Sequence, residues 1–165
     1  MKYFETSYVV KKPINIVFEK TLDIYNLHNN IGLFDKAYVT TNELEIDEIG
    51  KAYSVVNNQD GFAVRCILTL VELSRPYSYT LTYSYETKNK KGEIEEGCPF
   101  VPWETMTCVV SFKEIQGKTK VTTNMRANGV KSTLGSVYGK ILGLVNFFQQ
   151  RKYNKRASRY IEKHA

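Results

Sequence analysis

The sequence predicts an α+β fold, a curved and predominantly antiparallel sheet of seven strands with two short helices after the first strand and one long helix at the C-terminus. Three observations predict it. Lys131 to Lys163 runs 33 residues without a proline and has helical periodicity. Seven earlier segments read as strands, and the last six are joined, except across Lys88 to Trp103, by connections too short for parallel pairing, which needs a crossover of about a dozen residues. A single helix laid across the concave face of such a sheet commonly leaves a cavity between the two layers.

Residues Tyr3 to Val10 alternate Phe4, Thr6, Tyr8, Val10 against Tyr3, Glu5, Ser7, Val9, a pattern that suits a strand. Lys12-Pro13 breaks it. Proline fits the first turn of a helix, where its missing N–H is not needed, and Ile14, Val17, Phe18, Thr21 and Leu22 form a helical stripe. A second short helix is predicted from Ile24 to Leu33, ended by Asn29-Asn30 and Gly32. Strands follow at Lys36 to Ile46, Lys51 to Asn57, Phe62 to Leu73, Tyr77 to Thr87, Glu104 to Ile115 and Thr119 to Ala127. Turns are expected at Gly50, Asp60-Gly61, Ser74-Arg75-Pro76 and Gln116-Gly117. The segment Lys88 to Trp103, with two prolines, two glycines and both charge signs, reads as a long excursion at a sheet end and a lip over a pocket.

At 165 residues the chain is expected to form one domain, 1–165, large enough to bury a core without disulfides or metals. Cys66, Cys98 and Cys108 are odd in number and have no CxxC spacing, which argues against a disulfide framework or a zinc site. No metal or cofactor is expected. The N-terminus has no apolar h-region and no window of about 18 apolar residues occurs, so a cytoplasmic, reducing location is predicted. The net charge of +6 is concentrated: the last fifteen residues hold six bases against one acid, which leaves +1 for the other 150. Arg151, Lys152, Lys155, Arg156 and Arg159 could meet nucleic acid or an anionic membrane. The plainer reading, which the sequence favours, is a solvated helix end whose bases complement the helix dipole.

Parity within the strands assigns the inner face. Phe62, Val64, Cys66, Leu68 and Leu70 share one face of their strand. On the next, Tyr77, Tyr79, Leu81, Tyr83 and Tyr85 oppose serines and threonines, and Met106, Cys108, Val110 and Phe112 continue the apolar surface. Tyrosine brings a flat apolar body and a hydroxyl that seeks a partner when buried, so four on one strand suit the wall of a cavity for an amphipathic or aromatic ligand. The predicted ligand-binding residues are Val64, Cys66, Tyr79, Leu81, Tyr83, Met106 and Cys108.

Catalytic groupings are thin. His164 is near-terminal, and His28 has no sequence-local acid or nucleophile. Walker A, GxGxxG, HExxH and EF-hand patterns do not occur. Glu104, beside Trp103 at the end of the long loop, is the one weak catalytic candidate, an acid or base if burial at a pocket mouth raises its pKa.

Four segments, FETSYVVKKPINIVFEKTLDI, the Gly50-Lys51-Ala52-Tyr53 strand opening, VELSRPYSYTLTY and the Gly117-led entry to the last strand, together resemble the SRPBCC or START-like superfamily. That superfamily includes the birch pollen allergen, polyketide cyclases and lipid-transfer START domains. The resemblance covers almost the whole chain and implies a helix-grip fold around a hydrophobic cavity. It implies binding or transport of a small hydrophobic or amphipathic molecule such as a lipid, polyketide or aromatic compound. A cyclase or dehydratase using the same cavity, or an interaction protein binding RNA, ribosome or membrane through the basic helix, are the alternatives; fold analogy does not choose among them.

At about 100° per residue, Leu134, Val137, Ile141, Val145 and Phe148 share one arc of the long helix, but Lys152, Lys155, Arg156, Arg159 and Lys163 continue it. The other arc reads Gly135, Gly139, Gly143, Asn146, Gln150, Tyr153, Ala157, Tyr160. Two geometries reconcile this. The helix bends near Asn146 to Gln150 and each half buries its own apolar side, which the sequence favours, or it stays straight with the glycines against the sheet and the apolar stripe facing a partner.

Overall fold

A computed structural model describes residues 1–32, 38–59, 62–130 and 132–165. Strand β1 (Lys2–Val10) leads through Pro13 into α1 (Ile14–Leu22), whose first-turn carbonyl at Pro13 accepts from the Val17 N–H at 3.1 Å. Asp23 ends α1 and caps α2 (Ile24–Ile31) by accepting from the Asn26 N–H at 3.3 Å, and Gly32, at φ +59°, closes α2 in the left-handed conformation. The remaining strands are β2 (Tyr38–Thr41), β3 (Ala52–Gln59), β4 (Phe62–Ser74), β5 (Ser78–Lys88), β6 (Ile94–Glu96), β7 (Thr105–Ile115) and β8 (Lys118–Asn128); α3 (Thr133–His164) ends the chain.

All strand pairs are antiparallel, in the order β1-β8-β7-β5-β4-β3-β2, with β6 added beside β5. Among the described residues the sheet therefore has eight strands, one more than expected, because the excursion folds back as Ile94–Glu96 on the end of β5. The second predicted strand is shorter than expected. At Asn42 the chain turns: its side chain donates to the Gly50 carbonyl at 3.0 Å and accepts from the Ala52 N–H at 3.1 Å, an alternative to ladder bonds. The expected start of that strand at Lys36, the turn at Asp60-Gly61 and the residue Leu33 lie outside the described residues.

The core lies on the concave face. Phe18 of α1 packs edge-on against Phe112 at 5.1 Å and Tyr79 at 6.0 Å, beside fully buried Val10, Val17 and Val121. Arg75, in the β4–β5 turn, ties this end together through an ion pair to Glu19 and another to Asp47 at 2.7 Å. A bulge in β1 between Lys2 and Phe4 turns both Tyr3 and Phe4 inward, which strict alternation forbids.

Helix α3 is unbroken through Asn146 to Gln150, and the favoured arrangement, in which each half buries its own apolar side, is not seen, since Leu134, Val137, Ile141, Val145 and Phe148 are exposed. Its buried residues, Gly139, Gly143, Asn154, Ala157 and Ile161, share one arc along the whole length. The first half is seated by its backbone, because a Cβ on Gly143 would lie 2.9 Å from the Tyr3 carbonyl oxygen and one on Gly139 3.3 Å from the Trp103 ring. The second half is tied by side chains: Asn154 donates to Thr6 Oγ1 at 3.2 Å, Ser158 to the Val9 carbonyl at 3.1 Å, and Glu162 accepts from the Lys11 N–H at 2.8 Å.

Gly143→Ala sets two effects against each other. Alanine gains about 1 kcal/mol of helix propensity, but overpacking against a backbone atom costs about 1–3 kcal/mol. Urea unfolding is expected to show a net loss for Gly143→Ala and a smaller change for Gly139→Ala, whose nearest neighbour is the mobile tip of Met1 at 3.0 Å. A clear gain in stability for Gly143→Ala would contradict this seating of α3.

Candidate functional site

Between the sheet, α1, α2 and the middle of α3 lies a partly open cavity of about 80 Å³. Tyr8 of β1, Leu68 of β4, Tyr79, Leu81 and Tyr83 of β5, Cys108 and Val110 of β7, and Val121, Thr123 and Met125 of β8 form its floor. Thr21, Ile24 and His28 close one side, and Gln150 and Tyr153 of α3 form the roof. The wall is apolar with a few polar handles, three of them tyrosines of the sheet. Tyr79 donates its hydroxyl to the Thr21 carbonyl at 3.2 Å, and the roof residue Gln150 donates to Asn154 Oδ1 at 3.0 Å.

Of the residues expected to bind ligand, Tyr79, Leu81, Tyr83 and Cys108 line this cavity. Val64, Cys66 and Met106 do not. They lie towards the opposite end of their strands, where Met106 accepts from the Tyr85 hydroxyl at 3.4 Å and Val64 and Cys66 are half-buried. That end is filled by Trp103, delivered by the long loop, against Tyr3, delivered by the bulge, with ring centroids 4.8 Å apart. Glu104 is exposed and outside the cavity wall: Trp103 takes the inward position, while the Glu104 N–H donates to the Asn128 carbonyl at 3.0 Å. Tyr77 is 63% exposed, ahead of the first ladder pair of β5.

Sequence reasoning missed the walls contributed by β1 and the helices. Tyr8 and Tyr153 carried a usable signal, since each sits on the arc or parity of its element that turned out to face inward. Nothing local to His28 or Thr21 pointed to a cavity.

Burial dominates the electrostatics. It pushes Tyr8, Tyr79, Tyr83 and Tyr153 above the ordinary tyrosine value and Cys108 up to about 12, the last partly offset by its hydrogen bond with Tyr83. It lowers His28. No carboxylate lines the cavity among the described residues, and no group of three or more potential metal ligands occurs among them. A second depression, an open groove bordered by Met1, Gly129, Ser132, Ser136 and Lys140, lies at the start of α3. It is shallower and more open than the cavity on which the tyrosines converge.

No protein-family model matches the sequence, and no curated protein is significantly similar to it. Solved structures are similar in fold. A conserved protein from Geobacillus kaustophilus superposes with a TM-score of 0.62 at 17% identity, over 96% of this chain and 94% of the other. Ara h 8.0201 gives 0.62 at 13% identity, over 98% and 97%. The di-domain ARO/CYC StfQ from the steffimycin biosynthetic pathway gives 0.56 at 13% identity, over 98% of this chain and 45% of that one. At these identities the likeness shows the fold, and that fold is the helix grip that the sequence resemblance implied.

Among the described residues Tyr3, Tyr8, Tyr53, Tyr79, Tyr83, Tyr85 and Tyr153 have raised pKa values, chiefly through burial. Their folded values lie above the unfolded value of 10.0, so the stability they contribute is complete below pH 10.0 and is lost as pH rises, through about 12 for Tyr53. An alkaline titration followed by tyrosinate absorbance and circular dichroism is expected to show these tyrosines ionising together with unfolding. Their ionisation near pH 10.0 in a still-folded protein would contradict the burial described.

Proposed function

We propose that the chain binds a small amphipathic molecule, with an apolar body and one hydrogen-bonding end, between the sheet and α3. The observation that carries this reading is the convergence of Tyr8, Tyr79, Tyr83 and Tyr153 on one largely apolar cavity. Such a wall offers burial at about 25 cal/mol per Å² of apolar surface and a hydroxyl to orient the polar end. At about 80 Å³ the space holds only two or three waters at roughly 30 Å³ each. Ligand pockets are typically about 300–1,000 Å³, so binding is coupled to opening.

The absence of a carboxylate from the described wall favours binding over acid–base chemistry on a reactive chain. Thermal unfolding with a panel of fatty acids, sterols and polyphenols is the test, joined to native mass spectrometry of the purified protein. A ligand at a hundredfold its Kd adds about 2.7 kcal/mol, a rise in Tm of roughly 5–11 °C at this size. Thr123→Trp, which fills the cavity, is expected to abolish the shift. No shift and no co-purifying molecule across the panel would rule the reading out.

A further inference from the structure

Six large apolar side chains of α3, Leu134, Val137, Ile141, Leu144, Val145 and Phe148, point away from the protein and are between 50% and 82% exposed. At about 100° per residue they occupy an arc of roughly 120° opposite the buried glycines. Soluble proteins seldom leave a contiguous apolar strip of this kind uncovered. The same arc then continues as exposed Lys152, Lys155 and Arg159, with Lys140 and Arg151 flanking the apolar half. From Thr133 to Ile161 the helix has no Asp or Glu. Of the bases, Arg156 is engaged in part, donating to the Ile31 and Gly32 carbonyls at 3.3 and 3.2 Å, whereas Lys152, Lys155 and Arg159 remain exposed.

We propose that this outer face of α3 docks on an anionic lipid bilayer, lying in the interface with its apolar half in the acyl boundary and its basic half on the headgroups. The collinear order of the two halves carries the argument. An apolar face beside bases, with no acid on the helix until Glu162, matches a surface that is negative at the headgroups and apolar just beneath them. A nucleic acid would use the bases and leave Leu144 and Phe148 in water. A second copy would have to cover the apolar half while two chains of net charge +6 approach each other. The helix lies on the bilayer and does not span it, since no described helix is long and apolar enough to cross.

The test is flotation of the full chain with phosphatidylcholine vesicles and with vesicles that also contain phosphatidylserine. The protein is expected to float only with the anionic vesicles and to be released by salt. Lys152→Glu with Lys155→Glu should lower partitioning by at least about tenfold, since each base contributes about fivefold. Ile141→Gln with Phe148→Gln should also abolish flotation. All four side chains are exposed, so circular dichroism and Tm should stay unchanged and separate docking from folding. Three outcomes overturn the proposal: no binding to anionic vesicles, equal binding to neutral ones, or a different occupant in place of the bilayer. The last would appear as a concentration-dependent dimer broken by the apolar variant, or as RNA binding lost in the charge variant and retained in the apolar one.

Discussion

Three glycines spaced four residues apart bring the backbone of α3 into contact with β1 and Trp103, and the contact is too close for a side chain at Gly143. It inverts the usual logic of an amphipathic helix. A helix normally turns its large apolar residues towards the core, but here the core-facing arc is small, and close backbone approach replaces side-chain interdigitation. Leu134, Val137, Ile141, Leu144, Val145 and Phe148 are thereby left on the outside, while Leu142 and Phe147 are partly buried against the core. The basic residues that share their arc are outside for the same reason.

The cavity lies beyond the glycines, beneath Gln150 and Tyr153, where tyrosines of β1 and β5 converge, while the end beneath the glycines is filled by Tyr3 and Trp103. The remainder of the interior is closed by residues delivered irregularly. The β1 bulge turns Tyr3 inward, and the long loop brings Trp103 against it. The cavity therefore lies nearer α1 and α2 than parity along the strands suggests, and its second wall comes from Thr21 and His28. The polar ties of the second half of α3 hold the helix on β1 at the end away from the glycines.

Element order and strand parity were legible because they rest on local periodicity: β5 and β7 bury residues that alternation assigns to the inner face, Tyr79, Leu81, Cys108 and Val110 among them. The turn at Asn42 was not, because a side chain that substitutes for ladder bonds leaves the hydrophobic pattern unchanged. Nor was the β1 bulge, which is a pairing irregularity rather than a composition. The choice between Met106 and Cys108 as cavity wall depended on where Trp103 would fall, a contact with the other end of the chain. The α3 sequence did contain its answer. Its two arcs were readable, but choosing between them required weighing close backbone packing against side-chain burial, and propensity and hydrophobicity both favour the wrong arc.

A cysteine scan along α3, in a chain whose native cysteines are replaced by alanine, measures that choice most directly through labelling rates in the folded protein. The account predicts one uninterrupted helical period, with fast labelling at Leu134, Ile141, Val145, Phe148, Lys152 and Arg159 and protection at Ala157 and Ile161. Protection of Ile141 and Val145, with a phase change between Asn146 and Gln150, would contradict it.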